Sequence, residues 1–175
     1  MIVVYVNVMF AQTPSCDQAP LVLRLRRSAY RVAYHLLPLA AFVWPPRGQG
    51  AKAALVCDGQ LLLVHHTYGP ARWELPGGGV RRGEDPLAAL RRELAEELGL
   101  SVADAIALTV IHGPGRRSRH RTHLYRVDVG SKLVRPDPVE IAEARWWDPG
   151  ALPPRLGSMV GEALTLAGLA QPAGP

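Results

Sequence analysis

Apolar and polar positions along this chain switch between a helical and a strand period, and the switch points outline its elements. Leu87, Leu90, Leu94 and Leu98 recur every three or four residues. At roughly 100° per residue they fall within about 40° of one direction, which predicts a helix with one buried stripe. The ends agree, because Asp85 suits an N-cap, Pro86 the first helical position and Gly99 the stop. Upstream, AKAALVC and LLLVHH flank Asp58-Gly59, a strong hairpin signal. Downstream, residues 105–112 and 122–129 read as strands around a connection rich in Gly, Pro and Arg. Leu152-Pro153-Pro154 then leads into a final helix expected over 156–169, with Pro172 ending order.

The first 49 residues have a different texture. Residues 1–20 carry a single charge, Asp17, and an apolar run too short to span a bilayer. Without the basic start of a secretory signal they read as a poorly ordered leader, as sequence upstream of the functional start, or as an added edge strand. In 21–44, Arg24, Arg27, Arg31 and His35 form a basic stripe opposite Leu25, Val32, Leu36 and Leu39 if the segment is helical. Such an amphipathic helix packs on its own domain, meets a second subunit as a homodimer, or makes a peripheral membrane contact. A transmembrane span is disfavoured, since 15 residues separate Arg31 from Arg47 and Pro38 interrupts them. Pro45 to Gly50 reads as a linker, so the expected organisation is a leader (1–20), an amphipathic helix and linker (21–49), one catalytic-sized domain (50–170) and a tail (171–175).

Composition narrows the class without choosing a function. A chain of 175 residues, 48% hydrophobic and 20% charged, is an ordinary globular protein with room for a real core. The net charge of +5 rests on 18 arginines against 2 lysines, which suits an anionic substrate but does not establish nucleic-acid binding. Cys16 and Cys57 have no paired spacing, so neither a metal motif nor a disulfide framework is indicated, and a reducing, cytoplasmic location is expected.

The chemistry concentrates on the helix. Glu93, Glu96 and Glu97 share one flank over an arc of roughly 100°, where they repel by a few tenths of a kcal/mol per pair when solvated and by more as water is excluded. Either Arg91 and Arg92 neutralise them as a salt-bridged surface, or a metal does. Gly77-Gly78-Gly79, just ahead, favours the metal, because such a loop leaves carbonyls bare for an ion or a phosphate. Oxygen ligands with no Cys or His suit Mg²⁺ or Mn²⁺.

These residues resemble the Nudix hydrolases. The family signature is Gly, five residues, Glu, seven residues, Arg-Glu, an aliphatic, any residue, Glu-Glu, any residue, Gly and an aliphatic. Gly78, Glu84, Arg92, Glu93, Leu94, Glu96, Glu97, Gly99 and Leu100 meet all nine positions. The resemblance extends over about residues 50–170. It implies an α/β/α sandwich around a mixed sheet and attack of water on a diphosphate joined to another group, usually a nucleoside. By the same resemblance Glu93, Glu96 and Glu97 bind Mg²⁺ or Mn²⁺ with a backbone carbonyl near Gly78. Glu84 supports the cluster, Arg92 orients a glutamate, and Glu140, ahead of the Glu143-Ala144-Arg145-Trp146-Trp147 segment, binds metal or acts as general base.

The substrate-binding candidates are His66, Arg72, Trp73, Arg116 and Arg119. His65 and His66 adjoin on a strand and point to opposite faces, so only one of them can line a pocket. Trp73 suits either core or pocket wall. Arg116 and Arg119 lie in a loop of four arginines and two histidines, able to grip phosphate or simply to be solvated. Pro114, about fifteen residues past the box, is close to a proline associated in the family with ADP-ribose hydrolysis. The expected partner is a small nucleoside diphosphate derivative rather than a nucleic acid, since that loop lacks interleaved aromatics for stacking bases. The alternatives are a catalytically silent nucleotide-binding regulator and an enzyme acting on RNA 5′ ends.

Overall fold

A computed structural model of the protein describes residues 48–113 and 120–169, together with Leu25 and Ser28. The expectations for the leader, the basic amphipathic helix with its dimer or membrane contact, Pro114, Arg116, Arg119 and the tail fall outside the described residues. In chain order the elements are β1 (Gln49–Cys57), β2 (Gln60–His66), β3 (Trp73–Glu74), β4 (Gly79–Val80), α1 (Pro86–Leu98), β5 (Ile106–His112), β6 (Arg121–Asp128), β7 (Ile141–Trp147) and α2 (Val160–Leu166). Among the described residues no helix is long and apolar enough to cross a membrane.

The Asp58-Gly59 turn forms as its residue types require, with both residues at positive φ (49° and 74°). It registers Cys57 with Gln60 and Val56 with Leu61. Beyond those two pairs the strands part. β1 continues beside β6 in parallel, from Gln49 opposite Arg121 to Val56 opposite Asp128, while β2 runs antiparallel to β7. The side of β1 that β2 leaves is taken by β4 and the loop before it. Ala53 N–H donates to the Pro76 carbonyl at 3.0 Å and Ala51 N–H to the Gly78 carbonyl at 2.9 Å. The glycine run therefore sits in a cleft of the seven-stranded mixed sheet rather than on its rim.

Both faces of the sheet are covered, which explains why β1 and β2 read as nearly unbroken apolar runs. Ala51, Ala53, Leu55, Leu62 and Val64 meet Leu90, Leu94 and Leu98 of α1. Ala54, Leu61 and Leu63 meet Val160, Ala163 and Leu164 of α2 on the other face. The result is the expected α/β/α arrangement. The three α1 leucines are fully buried, and each contributes about 2 kcal/mol of transfer free energy. Asp85 caps α1 by accepting from the N–H groups of Leu87 and Ala88, Pro86 occupies the first turn, and Gly99 closes the helix at φ 64°.

The C-terminal helix is shorter than its pattern suggests. Leu156 forms a bridge to Trp73, Gly157 N–H donates to the Trp73 carbonyl at 2.7 Å, and Arg155 has φ 62°. Those residues extend the sheet, and α2 begins only at Val160.

Candidate active site

The helix period, the β1 cleft and the end of β2 converge on a cavity of about 480 Å³. One wall is α1, which presents Arg92, Glu93, Glu96 and Glu97; the floor is Gly77 to Gly79. His66 and Glu140 line it as well, their segments joined where Thr67 donates its N–H to the Glu140 carbonyl (2.9 Å) and its hydroxyl to the Val139 carbonyl (2.6 Å).

The three helical glutamates occupy different surroundings. Glu97 is 3% exposed and accepts from the Gly77 N–H at 2.8 Å. Burial pushes its carboxyl up to about 7; the Lys52 charge and the Gly77 N–H oppose the shift, and Glu93 and Glu140 add to it. Glu93 lies directly against the loop, so close that a Cβ on Gly78 would stand 2.5 Å from its carboxyl carbon. Glu96 is 54% exposed at the mouth.

Arg92 organises this wall. Its Nε and Nη2 donate to the two oxygens of Glu84 at 2.9 and 3.0 Å, and Nη2 also donates to the Gly79 carbonyl at 3.0 Å. Its Nη1 donates to Glu93 at 2.7 Å and Glu96 at 3.1 Å. Hydrogen bonds from Arg92, then the Arg81 N–H, hold the Glu84 carboxyl down at about 2, and the Glu84 contacts in turn raise the Arg92 guanidinium above its ordinary value. Glu84 and Arg92 thus form a permanently charged pair that fixes the loop and Glu93 together.

Among the described residues no group of three or more His, Cys, Asp or Glu side chains stands arranged to hold a metal ion as the side chains lie. The donor chemistry nevertheless fits a hard divalent cation. Glu97 is a carboxylate whose charged form is disfavoured first by burial and then by Glu93 and Glu140, and Glu93, Glu96 and Glu140 open on the same cavity.

The other candidates divide. His66 lines the cavity with its Nδ1 buried, and burial, then the Lys52 charge, pushes its imidazole down to about 4 against the opposing backbone contact with Glu140. His65 faces the other way and meets the Trp73 ring edge-on, so the two histidines separate as the strand period requires. Arg72 lines the cavity and pairs with Glu74. Trp73 is not among the lining residues; it packs in the second core cluster, edge-on to Trp147. Lys52, Tyr68 and Arg81 line the cavity too, although the pattern did not single them out. Lys52 was findable as the lone charge in the apolar run of β1, whereas nothing marked Tyr68 or Arg81.

A NUDIX domain model matches residues 47–164. A putative 8-oxo-dGTP diphosphatase 2 of Mycobacterium tuberculosis is 76% identical over 56 residues, 30% of this chain and 40% of that protein. Human diphosphoinositol polyphosphate phosphohydrolase 3-alpha is 33% identical over 110 residues, 59% of this chain and 66% of that one. The chain thus spans less than two thirds of the length of these curated relatives. A crystal structure of a MutT NUDIX hydrolase from Burkholderia pseudomallei superposes with a TM-score of 0.62 at 29% identity, covering 68% of this chain and 96% of that one.

Proposed function

The chain belongs to the Nudix family, and from that premise we propose that it hydrolyses the diphosphate bond of a nucleoside diphosphate linked to another group, with Mg²⁺ or Mn²⁺ as cofactor. The observation that carries the proposal is the buried Glu97 beside Glu93 on the glycine loop, within a cavity that also contains Glu140. Surrounding a buried carboxylate with further carboxylates is costly in a protein that never binds a cation there.

In this reading Glu93, Glu96 and Glu97, with a carbonyl of the loop at Gly78, hold the cation. The bound cation supplies charge neutralisation of the diphosphate and a lower pKa for attacking water. Arg92 keeps Glu93 in place against the loop. Glu140 takes the proton of the attacking water as its oxygen bonds to phosphorus, the bridging P–O bond breaks, and the leaving phosphate carries away the electron pair. Arg72 and His66, with Arg116 and Arg119 from the β5–β6 connection, bind the remainder of the substrate. A cavity of about 480 Å³ suits a small nucleotide better than a polymer.

The test is a panel of 8-oxo-dGTP and a diphosphoinositol phosphate, the substrates named in the two relatives, together with ADP-ribose and a dinucleotide polyphosphate as nucleoside diphosphates linked to another group, assayed with Mn²⁺ and with product identification. Turnover of at least one nucleotide is expected. Tight binding of RNA 5′ ends with no turnover of any small substrate would overturn the reading, and binding of a nucleotide without hydrolysis would make the protein a silent regulator.

A further inference from the structure

The cavity described above is acidic on one wall, yet it contains an ammonium that the proposed reaction does not use. Lys52 projects from β1 between Ala51 and Ala53, the two residues whose N–H groups pin the glycine loop. Its Nζ donates to the carbonyl of Gly77, whose own N–H is held by Glu97. One glycine of the loop is thus gripped from both ends, by a cation at its carbonyl and an anion at its amide. Lys52 also lines the cavity with Glu93, Glu97 and Glu140. The chain has only two lysines, and the other, Lys132, pairs with Asp58 at the hairpin turn.

We propose that Lys52 is a positioning residue that acts as a built-in counter-cation: it holds the Gly77 carbonyl and balances the carboxylate cluster when no metal is bound, and it opposes the divalent cation that replaces it in that role. The inference rests on the proposal that this cavity binds such a cation. It follows from charge alone, because a fixed positive charge on the same cavity as Glu93 and Glu97 stabilises them without metal and repels an arriving Mn²⁺. A tether that served only the loop would have no such second effect.

The test compares the full chain with Lys52→Met and Lys52→Arg by Mn²⁺ binding, followed as loss of the free-ion electron paramagnetic resonance signal, and by melting with and without Mn²⁺ at pH 8. Lys52→Met is expected to melt lower without metal and to bind Mn²⁺ about tenfold more tightly; Lys52→Arg, which keeps the charge, should stay within about threefold of the parent. Unchanged or weaker Mn²⁺ binding by Lys52→Met, with the parent binding normally, overturns the inference and leaves the metal reading intact. A parent that binds no Mn²⁺ overturns both.

If Lys52→Met does not fold without metal, the unaltered protein decides. With two lysines, its ¹⁵N-labelled ammonium spectrum is assigned by comparison with Lys52→Arg. Titration with Mg²⁺ should shift the Lys52 signal and leave Lys132 in place, and a Lys52 signal indifferent to saturating Mg²⁺ overturns the inference.

Discussion

Glu97 shows how one side chain can serve stability and chemistry in opposite directions. Like-charge repulsion on an exposed helix is worth only about 0.2–0.5 kcal/mol per pair, but Glu97 is buried, and its carboxyl titrates near 7 instead of 4.5. A raised carboxyl pKa means that the folded state holds this proton more tightly than the unfolded chain does. Its contribution is therefore lost as pH rises from about 4.5 to about 7, by at most about 3 kcal/mol. Without metal, Glu97→Gln should melt several degrees above the parent at pH 8 and close to it at pH 4.5. In the proposed reaction the same change should lower turnover by orders of magnitude at saturating Mn²⁺. Glu143→Gln is the control, because Glu143 contacts Arg145 on the surface and should leave both melting and rate nearly unchanged. Near-normal turnover of Glu97→Gln would reduce the cluster to an ordinary charged helix face.

At the scale of elements, the glycine loop separates folding from function at adjacent positions. Gly77 has φ 115°, and a Cβ there would lie 2.3 Å from the Ala51 carbonyl oxygen, a backbone atom of a central strand that cannot yield. Gly77→Ala should cost more than about 2 kcal/mol, visible as a lower urea midpoint. A Cβ on Gly78 meets instead the end of the Glu93 side chain, which can rotate away. Gly78→Ala should keep most of the stability and lose at least about tenfold in turnover. Local signals made α1 legible, since Asp85, Pro86, Gly99 and the leucine period lie within its own sequence, and the shared flank of Glu93, Glu96 and Glu97 followed from it, whereas the parts of Glu84 and Arg92 came from the Nudix resemblance. The start of α2 was not legible, because pairing of residues 156 and 157 with Trp73 depends on a contact some eighty residues away in sequence. The same limit applies to the packing of Trp73 and to the contact of Lys52, because Trp147 and the Gly77 carbonyl come within reach only when the sheet assembles.

At the scale of the whole molecule, both core clusters are built, among the described residues, from positions between 51 and 169. The matched NUDIX model begins at residue 47, so a protein lacking residues 1–44 should still melt cooperatively and retain turnover, as measured by calorimetry and by the nucleotide panel. If the basic amphipathic segment meets lipid, the truncation loses binding to anionic vesicles; if it meets a second subunit, light scattering shows a smaller particle. Unfolding of the truncated protein would instead place that segment in the core. The parting of β1 from β2 has a consequence for how this molecule exchanges its amide protons with water. Ala51 and Ala53 give their protons to Gly78 and Pro76, while β1 is paired along its other side with β6. Neighbouring amides of one strand thus report on different openings, those of Ala51 and Ala53 on release of the loop and those directed at β6 on opening of the sheet. Deuterium should enter at 51 and 53 first, and saturating Mn²⁺ should slow that entry selectively, so that an alternating pattern along a single strand records whether the cavity floor is seated.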